Sequence, residues 1–180
     1  MSPFRPDLVD VWMFRARGDS PGRRSSAQPG TPAPVSSVEL LLMRRSPGRI
    51  LPGLWQCVSG SLEPGESVTA GALRELREET GFGPGQIAGF YDLDQVNQFH
   101  EPSVGGIVSS AVFAVRLTAG TEPVLSHEHD SMRWVSPDEA LRLAVWPAYR
   151  ESIRRIVENL LDTERAIWFE LTLEGARARR

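Results

Sequence analysis

The chain has 180 residues, of which 41% are hydrophobic and 24% are charged, a composition that fits one globular domain with a sizeable core. Its formal net charge of −3 gives no general attraction to nucleic acid polymers or anionic membranes, so local cations would have to hold a polyanionic substrate. The single cysteine excludes an internal disulfide, the charged start is unlike a signal peptide, and no segment approaches the roughly 18 apolar residues of a membrane span. We therefore expect a soluble, cytoplasmic, single-domain protein over residues 1–180.

The first part of the chain predicts two strands separated by a long insertion. Residues 8–16 (LVDVWMFRA) and 37–45 (SVELLLMRR) are short apolar runs typical of strands, although the run ELLLM alone is also compatible with a helix. Residues 18–37 are rich in proline, glycine and serine, which disfavours regular structure. We predict a flexible hairpin insertion there, and a functional loop or a partner contact are the alternatives.

The later part of the chain mixes strand and helix patterns without regular alternation. A third strand is predicted at 54–60, and the helix that follows it should begin after Ser67 and end at Gly81. A later helix should begin at Ser136, with Pro137 in its first position. The other predicted elements are strands at 86–100, 106–117, 132–136 and 165–173, an amphipathic helix at 147–161, and a frayed basic tail at 174–180. This order predicts an α+β fold with a mixed β-sheet flanked by helices, rather than a doubly wound sheet.

The first predicted helix concentrates acid in its last turns. At about 100° per residue, Glu75, Glu78 and Glu79 fall within an arc of roughly 100°, next to the face of Leu76 that should pack on the core. Carboxylates at this end of a helix face the negative pole of its dipole, at a cost of about 0.3–1 kcal/mol each, which Arg74 only partly offsets. A bound divalent cation such as Mg2+ would resolve this conflict, whereas a solvated charged face is the plain alternative.

The residues before this helix, GSLEPGES, are suited to a tight loop beside a cation. Gly60 and Gly65 permit close backbone approach and turning, and Pro64 fixes the turn. Glu66 stands at the start of the helix, and the carbonyl of Gly60 is a further oxygen donor. Strand, turn and helix together predict a metal site near the end of the helix.

The spacing of these residues resembles the signature of the Nudix hydrolases. Its fixed positions are all filled, by Gly60, Glu66, Arg74, Glu75, Leu76, Glu78, Glu79, Gly81 and Phe82. The wider resemblance runs from Val9 to about Leu161, and LWQCVSGSLEPGE and LSHEHDSMRWVSPDEA are similar to the branch containing bacterial dATP and dihydroneopterin triphosphate pyrophosphohydrolases. The resemblance implies a Nudix-type α/β/α sandwich.

The resemblance also implies a reaction and a set of roles. Nudix hydrolases cleave a nucleoside diphosphate linked to another group, by attack of water on phosphorus with Mg2+ or Mn2+ as cofactor. The implied metal ligands are the Gly60 carbonyl, Glu75, Glu78 and Glu79. Arg74 would orient a glutamate through a charge-assisted hydrogen bond, and Glu66 would stabilise the loop rather than bind metal. Metal ions in such sites clamp the attacked and leaving oxygens and lower the pKa of bound water.

A further acid is expected from outside the motif. Many members of the family use another glutamate as ligand or general base, and Glu128 is our candidate, because similar branches place an acid a few residues before the tryptophan that is Trp134 here. A loop glutamate without a catalytic role is the alternative. His127 and His129 flank it, but a histidine pair without a third partner is a weak indication of tetrahedral zinc, so we do not predict zinc.

The candidate substrate contacts lie in the strands that lead to the predicted metal site. Arg44 and Arg45 end a strand that should terminate near the metal, so at least one is placed to reach a phosphate, with exposed strand-end charge as the alternative. Trp55 is our candidate for stacking on a base, although large aromatic residues more often belong to the core. Ser59, next to Gly60, is a further candidate contact.

The sequence thus predicts a metal-dependent pyrophosphohydrolase that cleaves a nucleoside triphosphate or a related nucleoside-diphosphate-linked compound. Dinucleotide polyphosphates, nucleotide sugars and oxidised nucleotides are alternative substrates. A non-catalytic nucleotide-sensing domain is an alternative class, although it should have lost part of the acidic set, which is complete here. The expected partner is a small nucleotide-like molecule, with no nucleic acid polymer and no membrane, and the chain should be a monomer or a homodimer.

Overall fold

A computed structural model of the chain describes residues 5–17, 38–118 and 120–178. The hairpin insertion predicted at 18–37, which includes Arg23 and Arg24, lies outside the described residues. Within the described ranges, no helix is both long enough and apolar enough to cross a membrane.

The described residues form strands and helices whose bounds follow the sequence patterns closely. The strands are β1 (Leu8–Ala16), β2 (Val38–Arg45), β3 (Trp55–Gln56), β4 (Val58–Ser61), β5 (Ile87–Glu101), β6 (Gly106–Leu117), β7 (His129–Val135) and β8 (Glu170–Leu171). The helices are α1 (Val68–Thr80), α2 (Pro137–Leu143), α3 (Pro147–Arg155) and the single turn α4 (Thr163–Ala166). A 3-10 turn at Pro84–Gln86 and a π-helical turn at Ile156–Leu160 complete the set.

The strands pair into a mixed sheet in the order β3-β2-β1-β6-β5-β8, with β4 also paired to β1 and β7 to β2. The β1–β6 pair is parallel, and the other pairs are antiparallel. Together with helices on both faces, this confirms the predicted α+β class with a mixed sheet.

β1 lies at the centre of the sheet and is buried on both faces, because alternate residues enter two separate cores. Val9, Val11 and Met13 pack toward α1 with Leu76, whereas Trp12 packs in the second core. That second core also receives residues from α2 and α3. The apolar layer shared by β1 and α1 holds this helix against the sheet.

The segment predicted as one strand at 54–60 is divided at Cys57 into two strands with different partners. Trp55–Gln56 pairs with β2, whereas Val58–Ser61 pairs with β1. A short apolar run does not reveal such a change of neighbour, because both halves have the same pattern. The division brings Ser59 and Gly60 beside α1.

Two predictions at the end of the chain were wrong. The strand expected at 165–173 is confined to Glu170–Leu171, because Asp162 caps a helical turn that occupies Thr163–Ala166. The predicted 147–161 helix is interrupted by the π-helical turn, which relaxes the α-helical hydrogen bonding after Arg155.

The tail expected to fray at 174–180 is instead bonded to the sheet over residues 174–178. Gly175, with a φ of 84°, turns the chain back, and the Ala178 amide donates to the Glu170 carbonyl at 3.1 Å. Arg177 Nη2 pairs with Asp92 Oδ2 at 2.9 Å. These contacts with the edge of the sheet hold residues 174–178 in place.

Candidate active site

Helix α1 is delimited by caps that the sequence predicts correctly. The Ser67 hydroxyl accepts a hydrogen bond from the Ala70 amide, and Gly81 adopts the left-handed conformation with a φ of 73°. Ala72 and Leu76 are buried against the sheet, so the neighbouring face of the helix is fixed in direction. The acidic residues of the last turns are held in one orientation as a result.

Gly60 brings the backbone of β4 into direct contact with the Glu75 carboxylate. A Cβ on Gly60 would overlap the Glu75 carboxyl group, so only glycine permits this approach. The predicted pairing of a glycine carbonyl with a helix carboxylate is therefore consistent with the packing, although the role of both groups as metal ligands stays a prediction.

Arg74 links three glutamates at the centre of the site. Its Nη1 donates to Glu75 Oε1 at 2.8 Å and to Glu78 Oε2 at 3.1 Å, and its Nη2 donates to Glu66 Oε1 at 2.8 Å. Charge-assisted bonds of this kind orient carboxylates strongly. The geometry agrees with the orienting role that was expected for Arg74.

Glu66 stabilises the loop before the helix, as expected. Its Oε1 accepts the Glu63 amide at 2.6 Å, and Arg74 Nη2 also donates to the Ser61 carbonyl at 2.9 Å. The hydrogen bonds from the Arg74 side chain and then from the Glu63 amide lower the pKa of Glu66 below its ordinary value. The missing side chain of Gly71 makes room for this loop, because a Cβ there would meet Leu62.

Glu79 is the most deeply buried carboxylate of the site, at 4% exposure. Its Oε1 accepts the Ser59 amide at 3.3 Å, but its Oε2 has no hydrogen-bond partner among the described residues. Burial, followed by repulsion from Glu128 and Glu75, raises the pKa of Glu79 from 4.5 to about 8. Burial also raises the pKa of Glu75.

Glu128 lies on the loop before β7, and two backbone hydrogen bonds attach this loop to the end of α1. The Val124 amide donates to the Thr80 carbonyl at 2.9 Å, and the Ser126 amide donates to the Glu79 carbonyl at 3.1 Å. Arg49 Nη2 pairs with Glu128 Oε1 at 3.0 Å. The structure thus brings the predicted loop acid close enough to the helix glutamates to raise their pKa values.

The donors of this cluster fit a hard divalent cation by chemistry, since they are carboxylate and carbonyl oxygens. The unpaired Oε2 of Glu79 and the mutual repulsion of the carboxylates favour a positive charge among them. In the described residues, however, no three acidic, histidine or cysteine side chains converge as they stand into a cation site. Two of these carboxylates, those of Glu75 and Glu78, are instead paired with Arg74.

The structure separates the predicted substrate contacts onto two faces of the sheet. Arg45 is close enough to lower the pKa of the buried Glu79, so it lies with the acidic cluster. Arg44 pairs with Asp130 at 2.7 Å and stands over the Trp55 ring, which Arg133 also covers at 4.8 Å. Arg44 and Trp55 therefore lie on one face of the sheet, and Arg45 lies on the other.

Ser59 is near the cluster, and both its backbone and its side chain have partners there. Its amide bonds Glu79, and its hydroxyl bonds the buried Asp10. These contacts are with the protein itself, so the role of Ser59 in substrate binding stays a prediction.

Two functional candidates, Gln56 and His129, were missed in the sequence. Both are buried, at 2% and 5% exposure, and His129 Nδ1 lies 3.5 Å from Glu79 Oε2. The sequence suggests only a weak zinc-ligand role for His129. Strand alternation from Trp134, which faces the α1 side, would place His129 on the opposite face, because the two residues are five positions apart. The register shift between Arg44 and Arg45 turns His129 to the α1 side, so the sequence pattern contains no signal for it.

Several proteins of known name resemble the chain over most of its length. A CTP pyrophosphohydrolase of Escherichia coli is 34% identical over 111 residues, 61% of this chain and 76% of that protein. A bis(5'-nucleosyl)-tetraphosphatase of Sus scrofa is 35% identical over 112 residues, 61% of this chain and 71% of that protein. An octanoyltransferase of Myxococcus xanthus is 36% identical over 118 residues, but the chain spans only 31% of its length.

Solved structures show the same fold. A NUDIX hydrolase of Listeria monocytogenes superposes with a TM-score of 0.66 at 24% identity, covering 87% of this chain and 94% of that one. The dihydroneopterin triphosphate pyrophosphohydrolase of Escherichia coli gives a TM-score of 0.58 at 21% identity, covering 85% and 98%. At such identities the likeness concerns the fold alone.

A family model settles the classification. The model of the NUDIX domain matches residues 28–156, which is more than half of the chain and includes the whole acidic helix and the loop of Glu128. Together with the complete motif, this confirms the resemblance seen in the sequence. The chain belongs to the NUDIX family of hydrolases, which act on phosphoric anhydrides.

Proposed function

We propose that the chain is a divalent-cation-dependent pyrophosphohydrolase that cleaves a diphosphate linkage in a nucleoside triphosphate or a related nucleoside-diphosphate-linked compound. The observation that carries this proposal is the buried, unpaired Oε2 of Glu79 among other carboxylates. A buried carboxylate crowded by Glu128 and Glu75 is costly to ionise, and a bound cation removes that cost.

The proposed ligands of Mg2+ or Mn2+ are the Gly60 carbonyl, Glu75, Glu78, Glu79 and Glu128. When bound, the cation supplies charge neutralisation for the phosphates and a lowered pKa for attacking water. Arg74 keeps Glu75 and Glu78 oriented and partly neutralised until the site is loaded. A cation bound by Glu75 and Glu78 would compete with Arg74 for the same carboxylates, and this competition can be tested.

Glu128 is the proposed acceptor of the proton released by the attacking water. One oxygen of Glu128 is paired with Arg49. The Glu128 side chain is 33% exposed, so it is in contact with solvent, whereas the Glu79 side chain is deeply buried. A general base must lie within hydrogen-bonding reach of the water it activates. Its loop position, bonded to the end of α1, holds it near the other carboxylates.

Arg45 is proposed to face the phosphates and Trp55 the base. Arg45 lies on the side of the acidic cluster, where a fixed cation strengthens phosphate binding. Trp55 is half-buried beside Arg44 and Arg133, an arrangement in which an aromatic ring and guanidinium planes can stack on a base. Ser59 is proposed to contact the substrate beside the acidic cluster, where its amide bonds Glu79.

Bis(5'-nucleosyl) tetraphosphates are a second candidate substrate class. Relatives of this name occur in Sus scrofa, Mus musculus and Caenorhabditis elegans, and the Mus musculus protein is 31% identical over 71% of this chain. These compounds contain the same anhydride linkage, so the acidic site proposed here serves either substrate class. The cytoplasmic location and the monomeric or dimeric state stay predictions.

The decisive experiment is a turnover screen in oxygen-18 water with phosphorus NMR of the products. The panel contains CTP, dATP, dihydroneopterin triphosphate and a bis(5'-nucleosyl) tetraphosphate, each with Mg2+, with Mn2+ and with a chelator. We expect cation-dependent release of one phosphate product carrying the heavy oxygen, which identifies both the substrate and the attacked phosphorus. Binding of these compounds without any turnover would instead support the non-catalytic sensing class.

A further inference from the structure

Four polar side chains form a continuous row behind the acidic cluster. Arg45 Nη1 donates to Gln56 Oε1 at 3.5 Å, Gln56 Nε2 lies 3.4 Å from His129 Nε2, and His129 Nδ1 lies 3.5 Å from Glu79 Oε2. Gln56, His129 and Glu79 are all buried. The row connects the guanidinium on β2 with the most buried carboxylate of α1.

The chemistry of the row determines which way each group points. A guanidinium can only donate, so the Gln56 oxygen must face Arg45 and its amide nitrogen must face His129. The Gln56 nitrogen then donates to His129 Nε2, which must therefore be the unprotonated ring nitrogen. The proton of a neutral His129 consequently lies on Nδ1, directed at Glu79 Oε2.

The same contacts require the neutral form of His129, because a protonated ring would direct a second donor, Nε2–H, at the Gln56 amide nitrogen. A neutral ring can still donate from Nδ1. His129 Nδ1 and Glu79 Oε2 lie 3.5 Å apart and have no hydrogen-bond partner among the described residues, so a small approach of the two side chains would satisfy both atoms.

We propose that Arg45, Gln56 and His129 form a hydrogen-bond relay that holds His129 as its Nδ1–H tautomer and thereby positions the Glu79 carboxylate. The relay deepens the proposed function, on which it rests, by assigning positioning roles to Gln56 and His129, which lie behind Glu79 and do not touch the reacting atoms. Arg45 anchors the relay by its Nε bond to the Ile50 carbonyl at 2.7 Å. A carboxylate held from behind in this way presents a fixed oxygen to a cation.

The first test reads the tautomer directly in the metal-free protein. The chain has three histidines, so the imidazole signals in a long-range proton–nitrogen NMR spectrum can be assigned by the loss of one set in His129→Asn. We expect His129 at about pH 9, where Glu79 is ionised and its Oε2 can accept, to show the Nδ1–H pattern. The pattern should weaken toward a mixture of tautomers in Gln56→Leu, which removes the donor to Nε2. An Nε2–H tautomer in the unmodified protein overturns the proposal.

The second test separates positioning from packing. His129→Asn retains an N–H close to the place of Nδ1, whereas His129→Leu fills the same space without a donor. Calorimetric titration of the metal-free chain with Mn2+ should show affinity lowered about tenfold or more in His129→Leu, as for other supporting hydrogen bonds, and largely restored in His129→Asn. His100→Asn, at an exposed histidine, is the matched control and should bind Mn2+ unchanged.

The outcomes distinguish the relay from the proposed function. Unchanged affinity in His129→Leu means that the imidazole only fills space, and equal loss in His129→Leu and His129→Asn means that the Nδ1–H donor is not what supports the site. Either outcome overturns the relay. Should His129→Leu fail to fold, two measurements still decide the question. They are the tautomer spectra and the Mn2+ affinity of Gln56→Leu, and this affinity must fall for the relay to hold. A correct tautomer and normal Mn2+ binding without turnover of any diphosphate would leave the relay intact and reject the hydrolase.

Discussion

The Glu75 carboxylate lies against the backbone of Gly60, in the space that a side chain on Gly60 would occupy. This contact joins the strand and the helix of the candidate site at one point. Because the helix is fixed by its buried face, a new side chain on Gly60 must displace the carboxylate rather than the helix.

Gly60→Ala should therefore impair the site more than it impairs the fold. We expect Mn2+ affinity and kcat to fall about tenfold to a hundredfold, the range seen when ligand orientation is disturbed. Gly48→Ala is the matched control, because a Cβ there meets nothing within 4 Å. Titration calorimetry and steady-state kinetics measure both effects, and equal behaviour of the two variants would contradict the contact.

Glu79→Gln should abolish most activity while the protein remains folded. The amide keeps the size of the side chain but removes the negative charge, so we expect kcat to fall at least about a hundredfold at saturating Mg2+. Circular dichroism should show an unchanged fold, since neutralising an unpaired buried carboxylate relieves repulsion from Glu128 and Glu75. Unchanged turnover would reject the assignment of the acidic cluster.

Arg74→Lys should separate orientation from charge. Lysine keeps the positive charge but cannot maintain the bonds that Arg74 makes with Glu66, Glu75 and Glu78. We expect lower kcat together with a lower melting temperature, because the loop of Glu66 loses its support. Arg77→Lys, at an exposed position of the same helix, should change neither quantity.

The metal-free protein should lose stability as the pH rises from 6.5 to about 8. The pKa of Glu79 is about 8 in the folded chain and 4.5 in the unfolded one, so over this window unfolding releases a proton and becomes easier with rising pH. Below pH 6.5 the trend is opposed, because the pKa of His129 is lowered to about 4 on folding and acid favours the unfolded state.

This pH dependence can be assigned to one residue by thermal unfolding in chelator. The slope between pH 6.5 and 8 should be present in the unmodified chain, much reduced in Glu79→Gln, and suppressed by saturating Mn2+, which favours the ionised carboxylate. A slope that persists in Glu79→Gln would place its origin in other groups.

The elements of the fold could be predicted from local patterns where caps and periodicity agree. Ser67 and Gly81 delimit α1, and Ser136 begins α2, because the signals act within a few residues. The division of the strand at Cys57 depends on which neighbour each half meets, and so it is a property of the sheet. The order of the tail likewise depends on the distant Asp92.

The acidic residues of the site could be predicted because their positions conflict with helix electrostatics and match a family motif. The residues that support them could not be predicted, since no feature of the neighbouring sequence distinguishes Gln56 or His129 from other polar residues in strands. Arg44 and Arg45 illustrate the same limit, because adjacent residues of one strand were separated onto opposite faces.

The two backbone bonds between the 124–126 segment and the end of α1 have a consequence for how the site opens. The last carbonyl groups of a helix need donors, and Val124 and Ser126 supply them to Thr80 and Glu79. The loop that carries Glu128 therefore cannot detach without fraying the helix. Amide hydrogen exchange at Val124 and Ser126 should be as slow as in the last turn of α1, so that the loop and the helix open as one cooperative unit.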